Sequence, residues 1–250
     1  MGKPSRIPAS AFVFFLASAA AHAQPALEFD AASVKLSPTQ SGRPNSDGAP
    51  RLSDFGRGRV SYRGASTRWV IRQAYHLTEQ QISGGPKWLD SDLYDIEAKA
   101  NGPATDDELR KMLQALLAER FGLGVHYLEK DLAVYVLVVD KGGGKLVELQ
   151  EGVPVRNPSR EPRAGAKIVG NIEYRGSVQN FADLLASNPA VGRPVLDRTG
   201  RPGLYVFALT LYSGEDLVES LTTQLGLRLV SERAILRVLV IDHIERPTAN

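Results

Sequence analysis

Three histidines, a few clustered acids and two glycine-rich turns are the residues with which this 250-residue chain could do chemistry. His76, His126 and His243 remain once His22, in the N-terminal segment, is set aside. No two of them lie three to five residues apart, the spacing that puts two imidazoles on one helix face for zinc. Asp90, Asp92 and Asp95 cluster, but not with the spacing of a calcium loop. No metal site is therefore expected. Gly-x-Ser-x-Gly is absent, and a Ser–His–Asp set assembled in space has few routes with three histidines. Lys141-Gly-Gly-Gly-Lys145 lacks the spacing of a phosphate loop, and a proline-rich stretch follows where a helix is required. It reads as a flexible exit from a strand, and no cofactor is expected. Two polar turns are left. Ser83-Gly-Gly-Pro-Lys-Trp88 presents an aromatic ring in a loop, and aromatic rings in loops often serve recognition. In Asp197-Arg-Thr-Gly200, Asp197 can close its own turn while Gly200 and Gly203 supply positive φ. Trp88, Asp197 and Arg198 are the candidate contacts for a partner, and no catalytic residue is assigned.

The elements that must carry these turns occur twice. Val60-Ser-Tyr-Arg-Gly64 returns as Ile172-Glu-Tyr-Arg-Gly176. Thr67, Val70, Ile71 and Ala74 follow helical spacing, and so do Val178, Phe181, Ala182 and Leu185. Leu93–Ala98 alternates as a strand, and Leu204–Leu209 lies at the same offset of 111. Thr105, with Glu108 three residues on, forms a capping box before the stripe Leu109, Met112, Leu113, Leu116 and Leu117. Its counterpart carries Leu217, Leu221 and Leu225. Both helices stop at a Gly-Leu pair, Gly122-Leu123 and Gly226-Leu227. Val134–Asp140 answers Leu236–Asp242 at an offset of 102. The expected fold is α+β, a tandem duplication of a β-α-β-β-α-β-β unit with two helices packed on a small mixed sheet in each copy.

The expected organisation is a signal peptide over residues 1–23, an N-terminal strand and flexible loop over 24–58, a first repeat over 59–141, a Gly/Pro-rich linker over 142–170, and a second repeat over 171–250. Lys3 and Arg6 precede an apolar run of about ten residues, and Ala21-His-Ala23 is a small-x-small cleavage site. The run is about half of what a membrane span needs. No transmembrane segment is expected after signal removal, so the protein is read as exported, periplasmic or secreted. Removing the signal takes two cations and no acid from a formal net charge of +2, leaving a neutral chain. A neutral chain lacks the basic footprint of nucleic-acid binding, so nucleic acid is not expected as a partner. With no cysteine, packing alone must hold the exported fold.

These segments also resemble a known family. Gln81-Ile-Ser-Gly-Gly-Pro-Lys-Trp-Leu-Asp-Ser-Asp-Leu-Tyr-Asp-Ile-Glu-Ala98 is similar to its first signature. Met112–Leu123 and Tyr135–Lys141 are similar to its middle, and Gly192–Gly200, Gly203–Phe207 and Val238–Pro247 to its end. The family is a soil-associated secreted family of unknown function, expanded in acidobacteria. The order of elements in each half also resembles the short N-terminal domain of secretins and TonB-dependent receptors, modules that bind partner proteins. Neither resemblance brings catalytic residues. The reading that follows is an exported non-catalytic binding protein whose partner is an unknown envelope protein or glycan. The alternative is an extracellular hydrolase acting on glycan or peptide, with carboxylates gathered between the two repeats.

Overall fold

The computed structural model describes residues 27–38, 48–50, 52–149, 168–188 and 190–247. The expected signal peptide lies outside these residues, as does most of the expected linker.

Two edge strands open the chain, β1 (Ala31–Leu36) and β2 (Leu52–Gly56). The second falls inside the stretch expected to be a loop. Its few apolar residues suffice because only one face of an edge strand needs a core. Strand β3 (Arg59–Ser66) runs into helix α1 (Thr67–Tyr75), whose N-cap Ser66 accepts from the Trp69 N–H. A one-turn 3₁₀ segment (Glu79–Gln81) and the short β4 (Ile82–Gly84) follow, then the single-turn α2 (Trp88–Ser91) and β5 (Leu93–Lys99). Helix α3 (Asp106–Phe121) carries the expected Thr105–Glu108 box and stops at Gly122 in the left-handed region. Strand β6 (Gly124–Val139) closes the first half.

The second half holds β7 (Val147–Glu148), β8 (Ile168–Gly176), α4 (Val178–Ser187), β9 (Val195–Asp197) and β10 (Tyr205–Tyr212). Then come α5 (Leu217–Ser220), a π-helical turn (Leu221–Leu225) that stops at Gly226, and β11 (Leu227–His243). Gln224 of that turn bonds both backbone groups of Thr210, at 2.9 and 2.7 Å, and so occupies part of the edge of β10 that β7 leaves open.

The α+β class holds, with helices and three small sheets. Two details differ from expectation. Each half was expected to end in two strands, and each ends in one, of 16 residues in β6 and 17 in β11. Each half was also expected to own its sheet. Sheets β1-β5-β3-β2 and β7-β10-β8 do belong to single halves, but the third, β4-β11-β6-β9, draws strands from both. In it β6 and β11 pair antiparallel along their length. First-half β4 adds parallel to β11, and second-half β9 adds parallel to β6. Each half thus sends its last strand beside a strand of the other.

The cores record this exchange. One cluster joins α1, α3, β3 and β5 to Leu239, Ile241 and Ile244 from the end of the chain. The other joins α4, β10 and the π-helical turn to Leu137 of β6. Alternating apolar residues show that a strand has a buried face but not which helices cover it. Fully burying one Leu, Ile or Phe contributes roughly 1.5–3 kcal/mol, so neither cluster gives up its borrowed strand cheaply.

Candidate functional site

The two turns singled out in the sequence are each positioned by one short parallel strand. Gly84, at the end of β4, is level with Ile241 and so with Val125 on β6. Asp197, at the end of β9, is level with Leu137. Those two levels are 12 residues apart on β6, about 40 Å at about 3.3 Å per residue. Trp88 therefore belongs to one end of the molecule, and Asp197 with Arg198 to the other. They do not form one site.

At the first end Trp88 opens α2 rather than lying in a loop, and its ring is half-buried against the core. The Arg246 guanidinium lies over the indole at 5.2 Å and donates to Asp92 at 2.8 Å. Arg68 donates to Asp90 at 2.7 Å and to the Gly84 carbonyl at 3.2 Å. The Asp95 carboxylate accepts the Gly64 N–H at 2.8 Å. The three clustered acids therefore each face a different donor. Tyr94 closes the floor. Burial, and then the Asp92 carboxylate, push its hydroxyl pKa up, while Arg246 opposes the shift.

At the second end Asp197 closes its own turn, accepting from the Thr199 N–H at 2.8 Å and its hydroxyl at 2.7 Å. Gly200 and Gly203 supply positive φ, at 64° and 105°. Arg198 projects from this turn and pairs with Glu232 at 2.9 Å.

Between the ends the two halves are bolted together by residues that no local pattern marked. His76, itself left-handed at the end of α1, meets Asp183 of α4 at 3.0 Å. Gln80 donates to the Gly192 carbonyl at 2.6 Å, and Gln81 to the Arg237 carbonyl at 3.4 Å. Arg193 lies over Tyr135 and Arg237 over Tyr127, at 5.2 and 4.2 Å. Tyr75, half-buried beside Tyr127, has its hydroxyl pKa raised, first by desolvation and then by that neighbour. Asp131 is paired with Arg233 at 2.8 Å. His76–Asp183, Gln80–Gly192, Tyr127–Arg237 and Asp131–Arg233 lie 102–112 residues apart in sequence, and only the exchange of strands brings them together.

The remaining histidines sit where the start of β6 meets the end of β11. His126 faces Asp242 at 2.8 Å and His243 faces Glu245 at 3.1 Å, all of them well exposed. Among the described residues, no group of three or more His, Asp or Glu side chains is arranged to hold a metal ion. Also among them, no helix is long and apolar enough to cross a membrane.

A family profile described as "Protein of unknown function (DUF3738)" matches residues 68–244. No curated protein and no solved structure matches the chain.

Proposed function

We infer that this chain, which belongs to the DUF3738 family of proteins of unknown function, is an exported non-catalytic binding protein built from two copies of one α/β unit. The register of the shared ribbon supports the duplication. Leu132 of β6 pairs with Ala234 of β11, and 234 − 132 is the same offset of 102 that aligns the two last strands in sequence. A residue paired with its own counterpart is what a twofold axis between two copies produces.

The observation that carries the binding reading is the fixed separation of the two turns. One continuous ribbon sets the levels of Gly84 and Asp197, which lead into these turns, about 40 Å apart along β6, a span suited to a macromolecule rather than a small substrate. The competing hydrolase reading needs neighbouring carboxylates that perturb one another. The acids between the halves point the other way: Asp131 is paired with Arg233 and Asp183 with His76. The Glu108 carboxyl pKa is lowered, by its bonds from Thr105 in a helix cap. An envelope protein or a cell-surface glycan is the partner this reading requires.

Affinity capture from an envelope extract tests it, run in parallel with the chain and with Trp88→Ala and Arg198→Glu variants. One protein or glycan recovered by the chain and lost with either variant is the expected outcome. Recovery of nothing specific, or equal recovery by both variants, refutes the reading. Export is checked separately by sequencing the mature N-terminus, expected at Gln24.

A further inference from the structure

Away from both turns, the hairpin that joins β2 to β3 leans against the end of β5 and borders an open cavity of about 350 Å³. Its lining is Arg57, Gly58, Arg59, Lys99, Ala100 and Gly102: three cations, three small residues and no acid. Two features of this lining are unfavourable in themselves. Arg57 and Gly58 are the central residues of the hairpin turn, at φ 51° and 76°. Such a turn favours Asn, Asp or Gly at both positions, and an arginine there carries the cost of a left-handed Cβ. Arg59 and Lys99 are directly opposed across β3 and β5, and like charges facing each other across strands destabilise a sheet. The nearest relief is Glu97, 3.9 Å from Arg59, and it already accepts the Ser61 hydroxyl at 2.7 Å. Among the described residues Arg57 and Lys99 have no ion-pair partner.

A Cβ at Gly58 would be driven into the Gly102 carbonyl, so the turn packs backbone to backbone against the loop after β5 and no side chain fits there. The Ala100 N–H bonds the Gly58 carbonyl at 2.8 Å and holds the turn against β5.

We propose that this cavity binds the phosphate group of a soluble phosphomonoester. Two guanidinium forks and one ammonium match a tetrahedral dianion with several acceptor oxygens, and guanidinium in particular bonds such groups in a bidentate way. The anion offsets both the opposed cations and the cost of placing Arg57 in the turn. The volume leaves room for the organic part that carries the phosphate.

Calorimetric titration of the purified chain at low ionic strength tests this with inorganic phosphate, glycerol phosphate, succinate, acetate and phosphatidylglycerol vesicles. The expected result is saturable one-to-one binding of both soluble phosphates, with acetate and succinate at least about tenfold weaker. Salt should weaken it, because the site is open to solvent. Arg57→Gly is the informative variant: glycine suits the turn, so the fold is kept or stabilised while phosphate binding falls at least about tenfold. Lys99→Gln should weaken it similarly, and Lys130→Gln, on β6, should not. The proposal is overturned by unsaturable binding, by full binding in Arg57→Gly, by succinate preferred over phosphate, or by vesicle binding without binding of soluble phosphate.

Discussion

The two cores are built from the same order of elements but arrange their rings differently. Among Ile71, Ile96, Leu109, Leu113 and Leu117, all fully buried, the first sets its rings in two separate edge-on pairs, Tyr62–Trp69 at 5.0 Å and Tyr94–Phe121 at 5.3 Å. The second gathers its rings in one group: Phe181 and Phe207 stack at 4.0 Å with Tyr174 and Tyr205 around them. Helix length differs as well. Helix α3 has 16 residues and lays six apolar side chains on its sheet. Its counterpart is the four-residue α5 and a five-residue π-helical turn, which bury Leu217, Leu221 and Leu225. Beside the shorter helix the rings of β8, α4 and β10 form one group, whereas beside the longer one they are split between the β3–α1 and β5–α3 pairs. Cores tolerate such rearrangement as long as the side chains fill the space between helix and sheet.

The largest test of this comparison removes volume from each core at matching positions. Phe207→Ala should cost about 3–5 kcal/mol and Ile96→Ala about 2–5 kcal/mol. Because each core contains a strand of the other half, both variants should unfold in a single denaturant transition. Hydrogen exchange should show the amides of Leu239–Ile241 losing protection in Phe207→Ala together with those of β10. Survival of the first core after loss of the second would mean that the exchange of strands does not couple them.

The two glycine stops give a sharper contrast. Gly122 and Gly226 share nearly the same φ, 58° and 63°. A Cβ at Gly122 meets only the His243 ring at 3.7 Å, whereas one at Gly226 is driven into the Gly143 carbonyl and the backbone of Gly144 and Lys145. Gly122→Ala should cost about 1–2 kcal/mol from the left-handed conformation alone. Gly226→Ala should cost about 1–3 kcal/mol more, because backbone must move. Equal losses in urea denaturation would show that the 143–145 turn yields freely.

Those stops were legible because glycine after an apolar helical stripe has one local meaning, and the Thr105 cap was legible for the same reason. The long strands were not. Glu129-Lys130-Asp131 and Ser231-Glu232-Arg233 look like turns between strands, yet both stretches lie mid-ribbon, where much of the surface is wet and an Asp131–Arg233 pair is welcome. Trp88 and Arg198 were singled out by residue type and turn chemistry. The bolts His76–Asp183 and Gln80–Gly192 carry no such local mark. The basic cavity was missed because only Arg57 falls in the stretch read as a loop, Arg59 opens the first repeat and Lys99 follows the Leu93–Ala98 strand, so that only the pairing of β3 with β5 brings the last two together.

A smaller effect separates the two helix starts. Thr105 and Glu108 cap α3 reciprocally, whereas Asp216 only accepts the Glu219 N–H, at 2.6 Å. Thr105→Ala should cost about 0.5–2 kcal/mol. The Thr105 N–H and hydroxyl hold the Glu108 carboxyl below its ordinary value of 4.5. A carboxyl whose folded pKa is depressed adds stability that is full above its unfolded pKa and is lost as pH falls through the folded one. The gap between the chain and Thr105→Ala should therefore be widest above about pH 5 and narrow in acid, as read from urea midpoints. A gap independent of pH would assign the cap to the hydroxyl alone.

The least effect is expected where the halves touch most visibly. The His76 and Asp183 side chains are 51% and 30% exposed, and a solvent-exposed ion pair is worth about 0–1 kcal/mol. A double-mutant cycle with His76→Gln and Asp183→Asn should return a coupling energy in that range and leave one unfolding transition. The reason lies in what each contact would have to replace. Losing the bolt exposes one polar pair to water that already reaches it, whereas separating the halves would strip Leu239 and Ile241 from one core and Leu137 from the other. A coupling above about 2 kcal/mol, or a second transition in either variant, would transfer the task of joining the halves from the shared ribbon to its surface bolts.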